Sequence, residues 1–204
     1  MKKMIIFSCL ILFLAPLAWA QEKVEAPVWN VGDKWVFDQG TVEVVGGDEK
    51  SFTVKFSEDT LLPQEATVIF ERTTFKMTHT LEGNRKQMYR AQRSSILNFP
   101  LSAGKTWKDK FMASRKGAAV GEPEARGFET FTVSGWEDVE VKAGKFKTIK
   151  LLYRQEVIAG GITLTASASY WYSPDVKYFV KCQGGKDAPY KVMNWELVSF
   201  DLKK

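Results

Sequence analysis

Side chains between Ile162 and Tyr172 divide by parity. Ile162, Leu164, Ala166, Ala168, Tyr170 and Tyr172 fall on one face, and Thr163, Thr165, Ser167, Ser169 and Trp171 on the other. A period of two held over that length predicts one long strand with one buried face. Ser173-Pro174-Asp175 breaks the pattern, because proline fixes its own φ and the flanking serine and aspartate hydrogen-bond locally into turns. Tyr178-Phe179-Val180 then resumes an extended pattern, so an aromatic-rich hairpin is expected. Upstream, Ala143-Gly144 interrupts the alternation of Val139 and Val141, and Phe146 falls out of phase with Ile149, Leu151 and Tyr153. That break predicts a tight turn or a bulge.

The same periodicity recurs along the chain. Thr41 to Val45 and Ser51 to Ser57 flank Gly46-Gly47-Asp48 as a hairpin. Ala66 to Thr73, Phe75 to Glu82 and Gln87 to Ala91 continue a meander; Phe128 to Val133, Trp136 to Val141 and Lys191 to Leu202 are later strands. Pro27 to Phe37 and Pro100 to Lys108 open alike, each with a glycine three residues before a tryptophan (Gly32 and Trp35, Gly104 and Trp107), so two glycine turns are expected to deliver Trp35 and Trp107 to the core. Residues 113–127 hold a single large apolar side chain, Val120, with three glycines and a proline, and read as a mobile loop. Some ten or eleven strands with little helix predict an all-β domain: a single antiparallel, strongly curved sheet, half-barrel or sandwich-like.

Two strings carry a resemblance. V-x-V-x-A-G-x-F-x-T-x-K from Val139 to Lys150, and Y-W-Y-S-P-D-V-K from Tyr170 to Lys177, with P-L-x-x-G-x-x-W from Pro100 to Trp107 upstream, resemble a family of uncharacterised bacterial exported β-domains. The resemblance implies the fold and attaches no catalytic residue. By fold analogy alone, related exported domains are similar to the lipoprotein-carrier half-barrel that holds acyl chains.

Lys2 and Lys3 precede an apolar run from Met4 to Leu17, and Ala18-Trp19-Ala20 offers small residues where signal peptidase reads. Residues 1–20 read as a signal peptide cleaved after Ala20, which implies a periplasmic or secreted protein. Cys9 lies within the apolar run, so it is not the lipid-modified end of a mature lipoprotein. Cleavage leaves residues 21–204 as one β-domain and lowers the net charge from +5 to about +3, with Lys and Arg scattered between strands. Nucleic acid is not an expected partner. Cys182 is the one mature cysteine; it shares parity with Tyr178 and Val180, so a buried thiol and no disulfide-linked partner are expected.

Catalytic chemistry finds little material. His79 is the only histidine and shares an apolar strand face with Phe75, Met77 and Leu81, which suits a structural role. One His and one mature Cys cannot supply a zinc site, and neither a metal nor a cofactor is expected. Glu122 and Glu124 flank Pro123 without calcium-loop spacing, and Glu137, Asp138 and Glu140 read as strand-edge charges, which leaves a carboxylate-based hydrolase as the least supported reading. What stands out is 7 Trp, 6 Tyr and 14 Phe: most suit the core of a sheet this size, and any that the core does not absorb are expected to line a groove. The expected function is therefore non-enzymatic: binding a lipid or another apolar or amphiphilic ligand in the sheet's groove, with Trp171, Tyr170 and Tyr172 as ligand-binding residues. The alternative is a structural or assembly partner of another envelope protein. Trp171, alone on a hydroxyl face, is expected to be partly exposed.

Overall fold

The computed structural model describes residues 22–57, 66–82, 85–88, 96–113, 125–159, 161–185 and 194–204. Twelve strands form one antiparallel sheet: β1 (Lys34–Phe37), β2 (Gly40–Gly47), β3 (Ser51–Phe56), β4 (Ala66–Glu71), β5 (Met77–Glu82), β6 (Arg85–Met88), β7 (Thr106–Ala113), β8 (Ala125–Val141), β9 (Gly144–Ala159), β10 (Ile162–Ser173), β11 (Tyr178–Gly184) and β12 (Asn194–Asp201). Their order is β6-β5-β4-β3-β2-β1-β12-β11-β10-β9-β8-β7, so two six-stranded meanders meet at the pairing of β1 with β12, where Trp35 faces Phe200 and Phe37 faces Leu197. The sheet does not close into a barrel; β6 and β7 are its ends.

Alternation along each strand produces the core. Val42 and Val44 on β2, Phe52, Val54 and Phe56 on β3, Ile149 and Leu151 on β9 and Leu197 on β12 all point inward and are buried. The segments expected at Phe128 to Val133 and Trp136 to Val141 are one 17-residue strand, whose register shifts between Val133 and Gly135. The bulge restores inward parity to both halves without breaking the ladder. Of the expected mobile loop, Ala113 belongs to β7 and Ala125 to Gly127 to β8; residues 114–124, with Glu122 and Glu124, lie outside the described residues.

The two glycine-tryptophan copies make the same turn. Asp33 N donates to Asn30 O and Lys105 N to Ser102 O, closing equivalent four-residue turns at 3.0 Å. Gly32 N bonds Val44 O while Val44 N bonds Asp33 O; Gly104 N bonds Val133 O while Val133 N bonds Lys105 O. Both glycines sit at positive φ, 93° and 82°, where a side chain would be strained. The outcome for the tryptophans differs: Trp35 is fully enclosed, and Trp107 is half-buried against Phe131, stacked at 5.3 Å. Trp107 stands on the terminal strand β7, so sheet neighbours cover it from one side only.

The sheet is curved enough for distant hairpins to meet. Pairing of β10 with β9 stops at Tyr172 and Ile149, and pairing of β11 with β12 stops at Lys181 and Glu196. Beyond those points the β10–β11 turn packs Ser173 and Val176 fully into the interior, while Pro174 and Asp175 at its apex stay exposed. Trp35 Nε1 donates to Val176 O at 2.8 Å and Trp29 Nε1 to Lys177 O at 2.9 Å, so two indoles hold the tip. The tip of the β8–β9 hairpin packs on β12 through Ala143 N to Leu197 O, 3.0 Å. The Ser-Pro-Asp-Val-Lys string is thus a plug for the curved sheet, and the resemblance built on it concerns architecture.

A candidate apolar site between the two meanders

The chain joining β6 to β7 connects opposite ends of the sheet, and in its described part, residues 96–105, Leu97, Phe99 and Leu101 pack on the core. Leu97 and Leu101 are buried, Phe99 lies 5.3 Å from Phe75 and 5.6 Å from Tyr172, and Leu101 bridges to Val24. Beneath this strap lies a cavity of about 20 Å³ lined by Trp29, Phe70, Phe75, Met77, Ile96, Leu97, Tyr178 and Phe179. One wall comes from β4, β5 and the turn between them, the other from the hairpin plug with Trp29. All eight lining residues are apolar or aromatic, and the Trp29 ring packs at 5.0 Å on Phe75, 5.3 Å on Phe52 and 5.7 Å on Tyr178. Phe75 holds a positive φ of 54°, an uncommon conformation for a bulky residue, and from it reaches the cavity wall. A space of this size holds one water-sized group. Trp29, Phe75, Ile96 and Leu97 come from connections between strands, and Phe70, Met77, Tyr178 and Phe179 from the strands themselves.

The three residues expected to bind ligand do not converge. Tyr170 and Tyr172 are buried in the core and pack on Phe179 at 5.3 and 5.9 Å. Burial raises both phenol pKa values, for Tyr170 with the nearby Cys182 thiol as a further cause. Trp171 points to the opposite face, as parity predicts, yet it is only 6% exposed instead of partly open. Its cover is polar: Lys150 and Lys181, its cross-strand neighbours, place their ammonium groups 4.7 and 5.5 Å from the ring centre. Its Nε1 donates to Glu137, which also pairs with Lys150 at 3.5 Å. A cation above an indole face is attracted by the ring quadrupole, and the lysine stems exclude water from it. The indole is an anchor within an ion-pair network and offers no open platform.

Cys182 is 2% exposed and free of any disulfide, and burial pushes its thiol up to about 12. The thiolate is the reactive and metal-binding form, and burial disfavours it here. His79 is half-buried on β5, opposite Ile69. Glu137, Asp138 and Glu140 lie together on β8, where Glu140 pairs with Lys145 at 3.3 Å. Two buried carboxylates escaped the sequence reading. Asp33 accepts from Asn30 N at 2.9 Å and Lys203 N at 2.7 Å, tying the first turn to the C-terminal segment. Glu129 accepts from the Tyr153 hydroxyl at 2.8 Å on the core face of β8. Their partners lie 170 and 24 residues away, and no local pattern reports them. Among the described residues no group of three or more His, Cys, Asp or Glu could hold a metal ion.

Fold and site together define an all-antiparallel, curved β-domain with a plugged interior and an apolar cavity under a strap. Comparison with family models and with curated proteins gives no match. Among solved structures the chain is similar to the hypothetical lipoprotein YmcC from Escherichia coli, at 11% identity and a TM-score of 0.44, over 86% of this chain and 90% of that one. It is also similar to a candidate exported protein with a YmcC-like fold from Bacteroides fragilis, at 11% identity and a TM-score of 0.39, over 87% and 99% of the two chains. A candidate lipoprotein from Parabacteroides distasonis aligns at 11% identity and a TM-score of 0.39, over 89% and 100%. The functional reading below rests on this chain's own residues.

Proposed function

We propose that this is an exported, non-enzymatic cell-envelope domain that holds an apolar or amphiphilic ligand between its two meanders. The observation that carries the reading is the cavity lined by Trp29, Phe70, Phe75, Met77, Ile96, Leu97, Tyr178 and Phe179. Ligand sites are concave, dominated by apolar and aromatic side chains, and common where two halves of a structure meet. At its size the cavity takes the end of a chain or a methyl group. Export is supported by the Lys2-Lys3 start, the apolar run to Leu17 and Ala18-Trp19-Ala20.

Native mass spectrometry of protein purified from its own envelope without detergent tests this. The expected result is a bound apolar molecule that is lost in Leu97→Trp, which fills the cavity. A bare polypeptide mass from gently prepared envelope would overturn it. A second reading, docking onto another envelope protein, would appear as a specific protein copurifying.

A further inference from the structure

The two meanders differ in the charge of their outer faces. Residues paired directly across a ladder put their side chains on the same face, so the register fixes what each face carries. On β1 to β4 the face turned away from the core holds Lys34 and Lys55 against Glu43 and Glu71, a balanced set in which Lys34 pairs with Glu43 at 3.2 Å. On β7 to β11 it holds, among the described residues, Lys108, Lys110, Arg126, Lys150, Arg154 and Lys181 against Glu137 and Glu156. Cations therefore outnumber carboxylates on this face alone.

Several of these cations lie along the sheet instead of standing off it. Lys108 Nζ sits 4.3 Å from the centre of the Phe128 ring, and Lys150 and Lys181 flank Trp171. In the middle of the field Leu152 is 43% exposed, paired with Thr132 on β8 and Ser169 on β10, and the row continues to Thr106 on β7 and Gln183 on β11. Lys150 and Arg154 stand two positions either side of it on β9. The face thus sets one apolar side chain among hydroxyls, with cations around them. Five strands spaced about 4.8 Å apart spread the cations over about 20 Å, which fits a plane better than a cleft.

We propose that the outer face of β7 to β11 docks on an anionic lipid surface. The cations meet headgroup phosphates, the hydroxyls of Thr106, Thr132 and Ser169 bond between headgroups, and Leu152 reaches the boundary with the acyl chains. A soluble polyanion would satisfy the cations and leave the exposed leucine without a partner. None of these side chains lines the cavity, so docking does not depend on a ligand held there.

Cosedimentation of the mature chain with lipid vesicles tests this. Binding is expected to vesicles of phosphatidylglycerol mixed with phosphatidylcholine, to be lost in concentrated salt, and to be absent from phosphatidylcholine alone. Lys108→Glu together with Lys110→Glu is expected to weaken binding about tenfold or more. Lys50→Glu together with Lys76→Glu makes the same change of net charge on exposed lysines of the first meander and should leave binding close to wild type. Leu152→Ser should weaken it severalfold and keep its salt dependence. Circular-dichroism melts check that each variant folds; if the charge reversal on β7 does not, Lys108→Gln with Lys110→Gln is read in its place. No binding to either vesicle, equal binding to both, or equal losses for the two lysine pairs overturns the proposal. So does Leu152→Ser binding as tightly as wild type, since the face then reads charge alone.

Discussion

The indole Nε1 of Trp35 donates to the carbonyl oxygen of Val176 at 2.8 Å across 141 residues of sequence, and both side chains are fully enclosed. This bond joins β1 of the first meander to the hairpin tip of the second. Trp35→Ala is therefore expected to cost about 3 to 5 kcal/mol, as large-to-small core changes do. Trp35→Phe, which strands the buried carbonyl, should cost about 1 to 3 kcal/mol. Trp107→Ala, on a half-buried terminal strand, should cost less, about 1 to 2 kcal/mol. Denaturant melts showing equal losses for the two alanine variants would contradict the placement.

The buried thiol sets a second expectation. Cys182 should resist labelling by thiol reagents in the folded protein, and Cys182→Ser should cost about 1 to 3 kcal/mol by burying a hydroxyl. Fast stoichiometric labelling under native conditions would refute it.

Parity made much of this legible. It sorted Ile162 to Tyr172 onto two faces, and the repeated glycine-tryptophan string marked two turns that share one bonding pattern. It could not report how far along a strand the core extends, so Ile162 and Leu164 have core parity and high exposure. Nor could it report cover from other strands. Trp171 is enclosed by Lys150 and Lys181, which lie 21 and 10 residues away, and whose stems supply the apolar area its own strand lacks. Tyr178, Phe179 and Val180, at the start of β11, are buried in succession, so this part of the strand has protein on both faces. The cavity is the least legible feature, since its walls come from residues 29 to 179 and exist only once the meanders have met.

Alkaline pH should destabilise the fold. Burial raises the pKa of Cys182 from the usual 9.0 to about 12 and raises those of Tyr170, Tyr172 and Tyr178 above the usual 10.0. The folded state keeps these protons after the unfolded chain has lost them. Stability from these groups is thus complete below pH 9.0 and declines as pH rises towards 12 for the thiol, by about 1.4 kcal/mol per pH unit for each group in its window. Thermal melts from about pH 8 upward should show a falling midpoint, with Cys182→Ala removing the earliest part of the fall. A midpoint flat to pH 11, or one that rises, would refute the buried neutral state of these groups.

Trp171→Ala is expected to lower stability by about 2 to 3 kcal/mol, close to a fully buried side chain, and to leave any bound ligand in place. Lys150→Ala should cost less, about 0.5 to 1 kcal/mol, by removing one cation and uncovering one ring face. Unchanged stability in Trp171→Ala, together with loss of a copurifying molecule, would restore the indole as a binding platform.

The order of the sheet also bears on how the gene could be rearranged. Every neighbouring pair of strands is consecutive in sequence except β1 and β12, and the two ends, β6 and β7, are themselves consecutive. The fold is thus a plain up-and-down meander read from its middle. Asn30 Nδ2 bonds Lys203 O at 2.8 Å, which brings the C-terminal segment beside the chain just ahead of β1. A circular permutant that joins the native ends with a short linker and opens the chain between β6 and Ile96 would run through β7 to β12 and then β1 to β6 in unbroken spatial order. The one seam that now spans the whole polypeptide would become a local connection. Since local pairings close with less loop entropy, such a permutant should fold faster than the natural chain while keeping its cavity.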